Sequence, residues 1–179
     1  SPRYDRLNMR LSVGRDRRWR RWAVRRLGGS PPGAWCDLAS GTGDLAVEML
    51  AAGRLVLRAD LSPALLRLGE RKPALARASA AREGDAARDP ARSEAVACEM
   101  DQLPVRSGAL AAVGQGFALR HCRSFESFFA ELHRVLRPGG RIALLDMRYP
   151  ADGPFRTVYR FYFRSVLPGL AGLCAARLE

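Results

Sequence analysis

The amino-acid sequence predicts an α/β fold in which a parallel β-sheet is covered by helices on both faces. Helix-like stretches alternate along the chain with short apolar runs that have the length of buried strands. This alternation favours a parallel sheet, because each helix carries the chain back across one face of the sheet. A chain of 179 residues with 47% apolar residues can bury such a core in one domain. The predicted strands lie at 35–39, 54–59, 94–98, 109–115 and 141–147.

The first 30 residues are expected to form a helical cap. Apolar residues recur at helical intervals from Leu7 to Leu27, and Gly14 interrupts them, so two short helices are predicted. Trp19 and Trp22 belong to this pattern. Tryptophan at helical spacing is more often a packing anchor than a platform for nucleic-acid bases, so both rings are expected in the core, and no nucleic-acid partner is predicted.

A glycine turn follows the first strand. The turn at 40–43 leads into a helix at 44–51, and Gly41 and Gly43 allow a close approach of the backbone to a ligand. A turn that opens a helix exposes backbone N–H groups to an anionic ligand. The next strand ends at Asp60, whose carboxylate can hold a ribose diol. The sequence therefore predicts a site for a nucleoside-type cofactor.

The turn differs from two common nucleotide motifs. It lacks the third glycine of the dinucleotide GxGxxG pattern, which disfavours a nicotinamide cofactor. No GK[ST] follows, so a P-loop is excluded.

The second half of the chain continues the alternation of helices and strands. Ser62 and Pro63 are a good N-cap and first residue for a helix, whose end lies in the segment 72–93 before a solvated loop. A further helix is predicted over 125–136, and the run 138–140, Pro-Gly-Gly, is expected to stop it before the last strand.

Composition restricts the class of protein. The formal net charge is +12, which fits anionic partners or surfaces without selecting one of them. The four cysteines have no CxxC spacing and the chain has only two histidines, so no metal site is predicted. Cys36 lies in an apolar strand pattern, as expected for a free, buried thiol in a reducing compartment, and a cytoplasmic protein is expected. No run of 18 apolar residues occurs, so no membrane span is expected.

Three segments resemble the class I methyltransferases that use S-adenosylmethionine. They are the stretch Asp37-Leu-Ala-Ser-Gly-Thr-Gly-Asp44, the pair Leu103-Pro104, and the stretch from Arg134 to Arg141. The resemblance implies a Rossmann-like sheet with helices on both faces, and S-adenosylmethionine as cofactor with S-adenosylhomocysteine as product.

Other segments resemble the ubiquinone/menaquinone biosynthesis C-methyltransferases in particular. These segments are Tyr4-Asp-Arg-Leu-Asn8 continuing to Trp19-Arg20, Gly116-Phe-Ala-Leu-Arg120-His121, and Tyr162 with Val166-Leu-Pro168. The resemblance covers essentially the whole chain. It implies methyl transfer to a ring carbon of a prenylated quinol, either demethylmenaquinol or a ubiquinone precursor.

The resemblance also implies a set of cofactor-binding residues. Thr42 and its flanking glycines would lie at the methionine end, and Asp60 at the ribose hydroxyls. Relatives place Asp or Asn followed by Ala at the adenine, whereas this chain has Glu99-Met100 there. The implied set is Gly41, Thr42, Gly43, Asp60, Leu61, Glu99, Met100 and Gly116.

Catalysis is assigned by the same resemblance to Arg120 and Tyr4, with His121 in place of the family's Asn. Because an arginine is too basic to act as an ordinary base, Arg120 is interpreted as an electrostatic stabiliser of a phenolate. A neutral His121 imidazole could accept the phenolic proton, or His121 merely hydrogen-bonds to backbone.

We expect one methyltransferase domain over 1–179, with the cap at 1–30, the Rossmann-like core at 34–148 and an aromatic, amphipathic segment at 149–179. The last segment would line a channel for an isoprenoid tail, settle on an anionic membrane surface at the inner face, or cover the sheet. The chain ends at Glu179, before the family's usual final helix and antiparallel strand pair, and an exposed sheet edge would favour a homodimer.

Two alternative functions remain open at this point. One is a non-catalytic methyltransferase-like subunit or scaffold, which Glu99-Met100 and the short C-terminus suggest. The other is a methyltransferase for another small phenolic or lipid acceptor.

Overall fold

A five-stranded parallel sheet is the centre of the computed structural model, which describes residues 15–80 and 91–146. The order of the strands is β3-β2-β1-β4-β5, and every neighbouring pair is parallel. The described residues from Arg17 to Asp146 belong to one compact unit. The predicted fold class is confirmed. The strands are β1 Ala34–Leu38, β2 Val56–Asp60, β3 Ser93–Ala97, β4 Leu110–Gly116 and β5 Leu136–Leu145.

Helices cover both faces of this sheet. Successive β1 residues alternate between two apolar clusters, with Trp35 in one and Cys36 in the other, as the two-residue repeat of a strand requires. The first cluster includes side chains of α1, α2 and α4, whereas the second includes those of α5. Cys36 is fully buried, as predicted. The helices are α1 Arg15–Leu27, α2 Asp44–Ala51, α3 Pro63–Gly69, α4 Pro73–Ala80 and α5 Phe125–Val135, with a 3-10 helix at Leu119–His121.

Local signals fix the beginnings of two helices. Helix α2 has the predicted bounds, directly after the glycine turn. Helix α3 begins at Pro63, and the Ser62 hydroxyl accepts a hydrogen bond from the Leu65 N–H at 3.3 Å. The proline supplies the helical φ angle and the serine satisfies one of the unpaired N–H groups of the first turn.

The structure differs from the prediction in two segments. Residues 73–80 form a separate helix that begins at Pro73, and they are not the end of α3. The Pro-Gly-Gly run does not separate α5 from β5, because the strand already begins at Leu136. Leu110 pairs with Leu136 and Ala112 pairs with Arg141, so the run is an irregularity inside the strand.

The prediction for the two tryptophans is wrong. Trp19 is 40% exposed and Trp22 is 56% exposed. The buried residues of α1 are instead smaller apolar side chains, among them Ala23 and Leu27. The Trp22 ring packs beneath Arg26, whose Cζ lies 4.7 Å from the ring centroid.

Some expectations concern residues outside the described ranges. They are the first of the two N-terminal helices, the loop at 81–90, the aromatic segment at 149–179 and the C-terminal strand pair. Each of these remains a prediction.

Candidate cofactor site

The carboxyl ends of β1, β2 and β4 lie at one edge of the sheet. From β1 the chain goes outward on one side to β2 and β3, and then crosses to the other side to form β4 and β5. The strand order therefore reverses between β1 and β4. In open α/β sheets this reversal creates a crevice at the carboxyl ends, where ligands bind.

The glycine turn after β1 is tied directly to the end of β2. The Gly41 N–H donates a hydrogen bond to Asp60 Oδ2 at 2.7 Å, and the Ser62 N–H donates to Oδ1 at 2.8 Å. Asp60 is 9% exposed. Both oxygens of its carboxylate are thus fixed in direction, and each keeps a second lone pair for a ligand hydroxyl. The structure brings together the glycine turn and the carboxylate that the sequence predicted as partners.

The two glycines of the turn have left-handed backbone conformations. The φ angles are 56° at Gly41 and 78° at Gly43, which glycine adopts at little cost. A β-carbon added at Gly41 would meet nothing within 4 Å, so this part of the turn faces open space. A ligand can therefore approach the backbone there.

Asp37 supports the turn from inside the protein. It is 1% exposed, and its Oδ2 accepts hydrogen bonds from the Ser40 hydroxyl and from the Ala46 N–H, both at 2.8 Å. Burial raises the pKa of this carboxyl to about 6, although the two hydrogen bonds act in the opposite direction. Asp37 thus joins the end of β1 to the first turn of α2.

Lys72 supports the turn from outside. Its Nζ donates a hydrogen bond to Thr42 Oγ1 at 3.0 Å and another to the Asp44 carboxylate. Lys72 is the only lysine of the chain and is placed just before α4, which brings a cation to the turn. Because an ammonium group has no acceptor, the hydroxyl hydrogen of Thr42 must point away from it.

The end of β4 forms the other side of the crevice. A β-carbon on Gly116 would meet nothing within 4 Å, so open space lies beside the last residue of the strand. Phe117 has a φ of 61°, and Ala39 at the end of β1 has a φ of 53°. Such conformations are strained for residues with a side chain and concentrate at functional sites.

The residues predicted for the adenine follow β3. The Glu99 carboxylate lies 3.6 Å from the Arg123 guanidinium, and Met100 packs against the apolar cluster beneath α5. Their loop is held at Leu103, whose N–H donates to Glu131 of α5 at 2.6 Å. Leu61, which follows β2, is 62% exposed.

The predicted catalytic residues lie in the 3-10 helix after β4. Arg120 and His121 are both exposed, and Arg120 Nη1 donates to the Phe117 carbonyl. The buried Gln115 supports this segment: in the amide orientation that satisfies it, its oxygen accepts from the N–H groups of Ala118 and Leu119 at 2.9 and 2.8 Å. Tyr4 lies outside the described residues.

Residues 15–80 and 91–146 contain neither a metal-binding cluster nor a membrane-spanning helix. In these ranges no three His, Cys, Asp or Glu residues are grouped so that they could hold a metal ion. Within the same part of the chain, no helix has the length and apolar character needed to cross a bilayer.

Comparison with known proteins decides the family. The model of the ubiE/COQ5 methyltransferase family matches residues 1–179. The chain belongs to the ubiE/COQ5 methyltransferase family.

Two curated relatives of this methyltransferase each match nearly all of the chain. A demethylmenaquinone methyltransferase of Thermus thermophilus is 43% identical over 175 residues, which cover 97% of this chain and 74% of the relative. A ubiquinone/menaquinone biosynthesis C-methyltransferase of a Geobacter species is 35% identical over 175 residues, covering 96% of this chain and 70% of the relative.

Solved structures share the fold of this methyltransferase. A geranyl diphosphate methyltransferase in complex with S-adenosylmethionine has a TM-score of 0.60 and 22% identity, over 89% of this chain and 61% of that one. A geranyl diphosphate C-methyltransferase from Streptomyces coelicolor has a TM-score of 0.57 and 21% identity, over 80% of this chain and 52% of that one. At these identities the likeness concerns the fold alone.

Sequence reasoning missed two residues that shape the turn of this methyltransferase, Asp37 and Lys72. Asp37 gave a signal, because a lone carboxylate inside an apolar strand needs partners when it is buried. Lys72 stands out in the sequence only as the single lysine of an arginine-rich chain, and this does not indicate a contact with Thr42.

Proposed function

We propose that this methyltransferase binds S-adenosylmethionine at the glycine turn and methylates a ring carbon of a prenylated quinol. The observation that carries the proposal is the hydrogen bond from the Gly41 N–H to the Asp60 carboxylate, at the crevice of a ubiE/COQ5 chain. The similarity to the demethylmenaquinone methyltransferase of Thermus thermophilus favours demethylmenaquinol as acceptor.

The residues present fit the cofactor. The open space at Gly41 and Gly116 leaves room beside the ends of β1 and β4. Asp60 would hold the ribose hydroxyls with its remaining lone pairs, and charge-assisted bonds of this kind are stronger than neutral ones. Thr42 and the turn glycines would hold the methionine end, with Glu99, Met100 and Leu61 towards the adenine. When bound, S-adenosylmethionine supplies a methyl group on a sulfonium that is already a good leaving group.

The protein's contribution to the transfer is alignment of the acceptor and stabilisation of its phenolate. Loss of a ring hydroxyl proton raises electron density at the ortho and para carbons of the quinol. Arg120, anchored to the Phe117 carbonyl, would stabilise the phenolate by its charge, and Tyr4 would assist. His121, exposed beside it, would accept the proton as a neutral imidazole.

Titration calorimetry with S-adenosylhomocysteine tests the cofactor site. Asp60→Ala should weaken binding by about tenfold or more, because it removes charge-assisted bonds to the ribose. Glu94→Ala is the matched control, since Glu94 is a carboxylate on β3 whose side chain is 68% exposed. Unchanged affinity of the Asp60 variant would show that the site assignment is wrong.

Turnover with labelled S-adenosylmethionine and a short-chain demethylmenaquinol tests the reaction. The wild type should methylate the quinol, and Arg120→Ala should slow the transfer while cofactor affinity changes little. Arg77→Ala, an exposed arginine on α4, is the control. Cofactor binding without turnover would favour the scaffold function, and turnover of a different phenol alone would reassign the acceptor.

Contact with a membrane surface is part of the proposal. A prenylated quinol resides in the bilayer, and the chain carries a net charge of +12. We therefore place the protein on the cytoplasmic side, in peripheral contact with anionic lipids.

We also propose a homodimer. In the described sheet β3 and β5 are the outer strands, and an outer strand can pair with a second copy. Sedimentation velocity distinguishes a dimer from a monomer, and a monomer at micromolar concentration would contradict this part of the proposal.

A further inference from the structure

The cofactor-binding set predicted from the sequence contains no positive charge. Its only ionised side chains are the carboxylates of Asp60 and Glu99. The methionine end of S-adenosylmethionine carries a carboxylate of its own, and an anion at a partly buried site needs a cation or several N–H donors. The predicted set therefore offers this carboxylate only uncharged donors, and a cation from outside the set would strengthen its binding.

We propose that Arg20 of α1 binds the carboxylate at the methionine end of the cofactor. The inference rests on the proposed function, and it adds a binding residue from an element that the predicted set does not include.

The position of Arg20 supports this assignment. Its Nη2 lies 3.5 Å from Asp44 Oδ2, on the β1 side of the crevice. Its Cζ lies 5.8 Å from the centre of the Phe117 ring, on the β4 side. The guanidinium therefore lies near both the glycine turn and the end of β4, between which the ligand crevice is expected.

Two cations, Arg20 and Lys72, lie against the Asp44 carboxylate. Lys72 already donates to Thr42 and to Asp44. A guanidinium has five N–H donors in a planar fork that matches a carboxylate, so Arg20 is the better ligand of the two.

Arg20 is also held in place before any ligand binds. Its side chain is 15% exposed, and α1 is fixed to α2 by Glu48. Glu48 Oε1 accepts from Arg17 Nε at 2.8 Å, and Oε2 accepts from Arg21 Nε at 3.2 Å. A guanidinium anchored in this way loses little conformational freedom on binding, which favours affinity.

The experiment compares two ligands and two arginines. S-adenosylhomocysteine has the amino-acid end, whereas 5′-methylthioadenosine lacks it. Arg20→Gln should lower the affinity for S-adenosylhomocysteine by about tenfold or more, because this ligand loses a charged hydrogen bond. The affinity for methylthioadenosine should stay within about threefold of the wild-type value. Arg18→Gln is the matched control, at an exposed arginine on the same helix, and it should leave both affinities near the wild-type values.

Two further measurements keep the test decisive if Arg20→Gln does not fold. Arg20→Lys, which keeps the charge without the planar fork, should bind S-adenosylhomocysteine with an intermediate affinity. The wild type should bind decarboxylated S-adenosylhomocysteine more weakly than the parent compound, and equal affinity would overturn the proposal.

The remaining outcomes separate this inference from the proposed function. If wild type binds S-adenosylhomocysteine and Arg20→Gln does so equally well, only the Arg20 assignment falls. If the wild type does not bind it at all, both fall together.

Discussion

At the scale of single residues, the cofactor turn depends on a carboxyl group that is costly to ionise. Asp37 is fully buried, yet it is needed as an acceptor for Ser40 and for the Ala46 N–H. Burial raises its pKa to about 6, and the charge of Arg20 lowers it only in part. Since the native state holds this proton more tightly than the unfolded chain, Asp37 reduces stability as the pH rises from about 4 to about 6.

Asp37→Asn should remove this pH dependence. The amide oxygen can still accept from Ser40 and from the Ala46 N–H, so the turn should keep its geometry. Chemical unfolding between pH 4 and pH 7 should show that the variant loses about 1–3 kcal/mol less stability than the wild type over this range. Equal slopes for the two proteins would contradict the assignment of the raised pKa to Asp37.

Single residues also show which parts of the site a sequence can reveal. Asp60 could be found because it ends an apolar run shortly after a glycine turn, and both signals are local. The contact of Lys72 with Thr42 joins residues 30 positions apart, and it exists only because α4 packs beside α2. No local pattern encodes such a contact. The same holds for Arg20, whose neighbours Asp44 and Phe117 come from two different strand ends.

At the scale of elements, the beginnings of α2, α3 and α5 were predicted correctly, whereas the beginning of α4 and the face that α1 buries were not. The start of α3 follows from two adjacent residues, Ser62 and Pro63, which act on their own backbone. The exposure of Trp19 and Trp22 depends instead on how α1 is turned against α2, which the pairing of its arginines with Glu48 helps to fix. The early start of β5 is likewise set by its pairing with β4, because Leu136 is already the register partner of Leu110 in the sheet.

Helix α5 stabilises the loop that carries Glu99 and Met100. Glu131 accepts from the Leu103 N–H at 2.6 Å, and Arg134 donates to the Leu103 carbonyl at 3.1 Å. The hydrogen bond from Arg134 lowers the pKa of Glu131, with that from Leu103 acting in the same direction. A carboxylate with a lowered pKa stabilises the fold above its unfolded pKa, and this contribution is lost as the pH falls through the folded value.

Glu131→Gln should therefore destabilise the protein by about 1–3 kcal/mol at pH 7, because a charged acceptor is replaced by a neutral one. The difference from wild type should shrink on acidification below about pH 4, since wild-type Glu131 then becomes protonated as well. Thermal unfolding at several pH values measures both effects, with Glu94→Gln as an exposed control. A difference that stays constant down to acidic pH would show that the carboxylate charge is not the cause.

At the scale of the whole molecule, the order of the strands explains why distant segments meet at one crevice. The strand ends of β1 and β4 are neighbours in the sheet although β2 and β3 come between them in the sequence. The order could be expected from the family resemblance, whereas the alternation of strands and helices alone predicts only a parallel sheet. What the resemblance could not provide is the set of contacts around the crevice, because these join side chains from separate segments of the folded chain.

The net charge of +12 gives the whole chain a preference that no single residue determines. If the protein meets its prenylated acceptor at a bilayer, basic side chains near the surface should each contribute up to about 1 kcal/mol of attraction to anionic lipids. Cosedimentation should then show binding to vesicles that contain phosphatidylserine and little binding to vesicles of phosphatidylcholine alone. The binding should weaken strongly as salt is raised, because exposed charges are screened beyond about 8 Å at physiological ionic strength. Binding that is equal for the two lipids and insensitive to salt would mean that the charge does not direct the protein to the membrane.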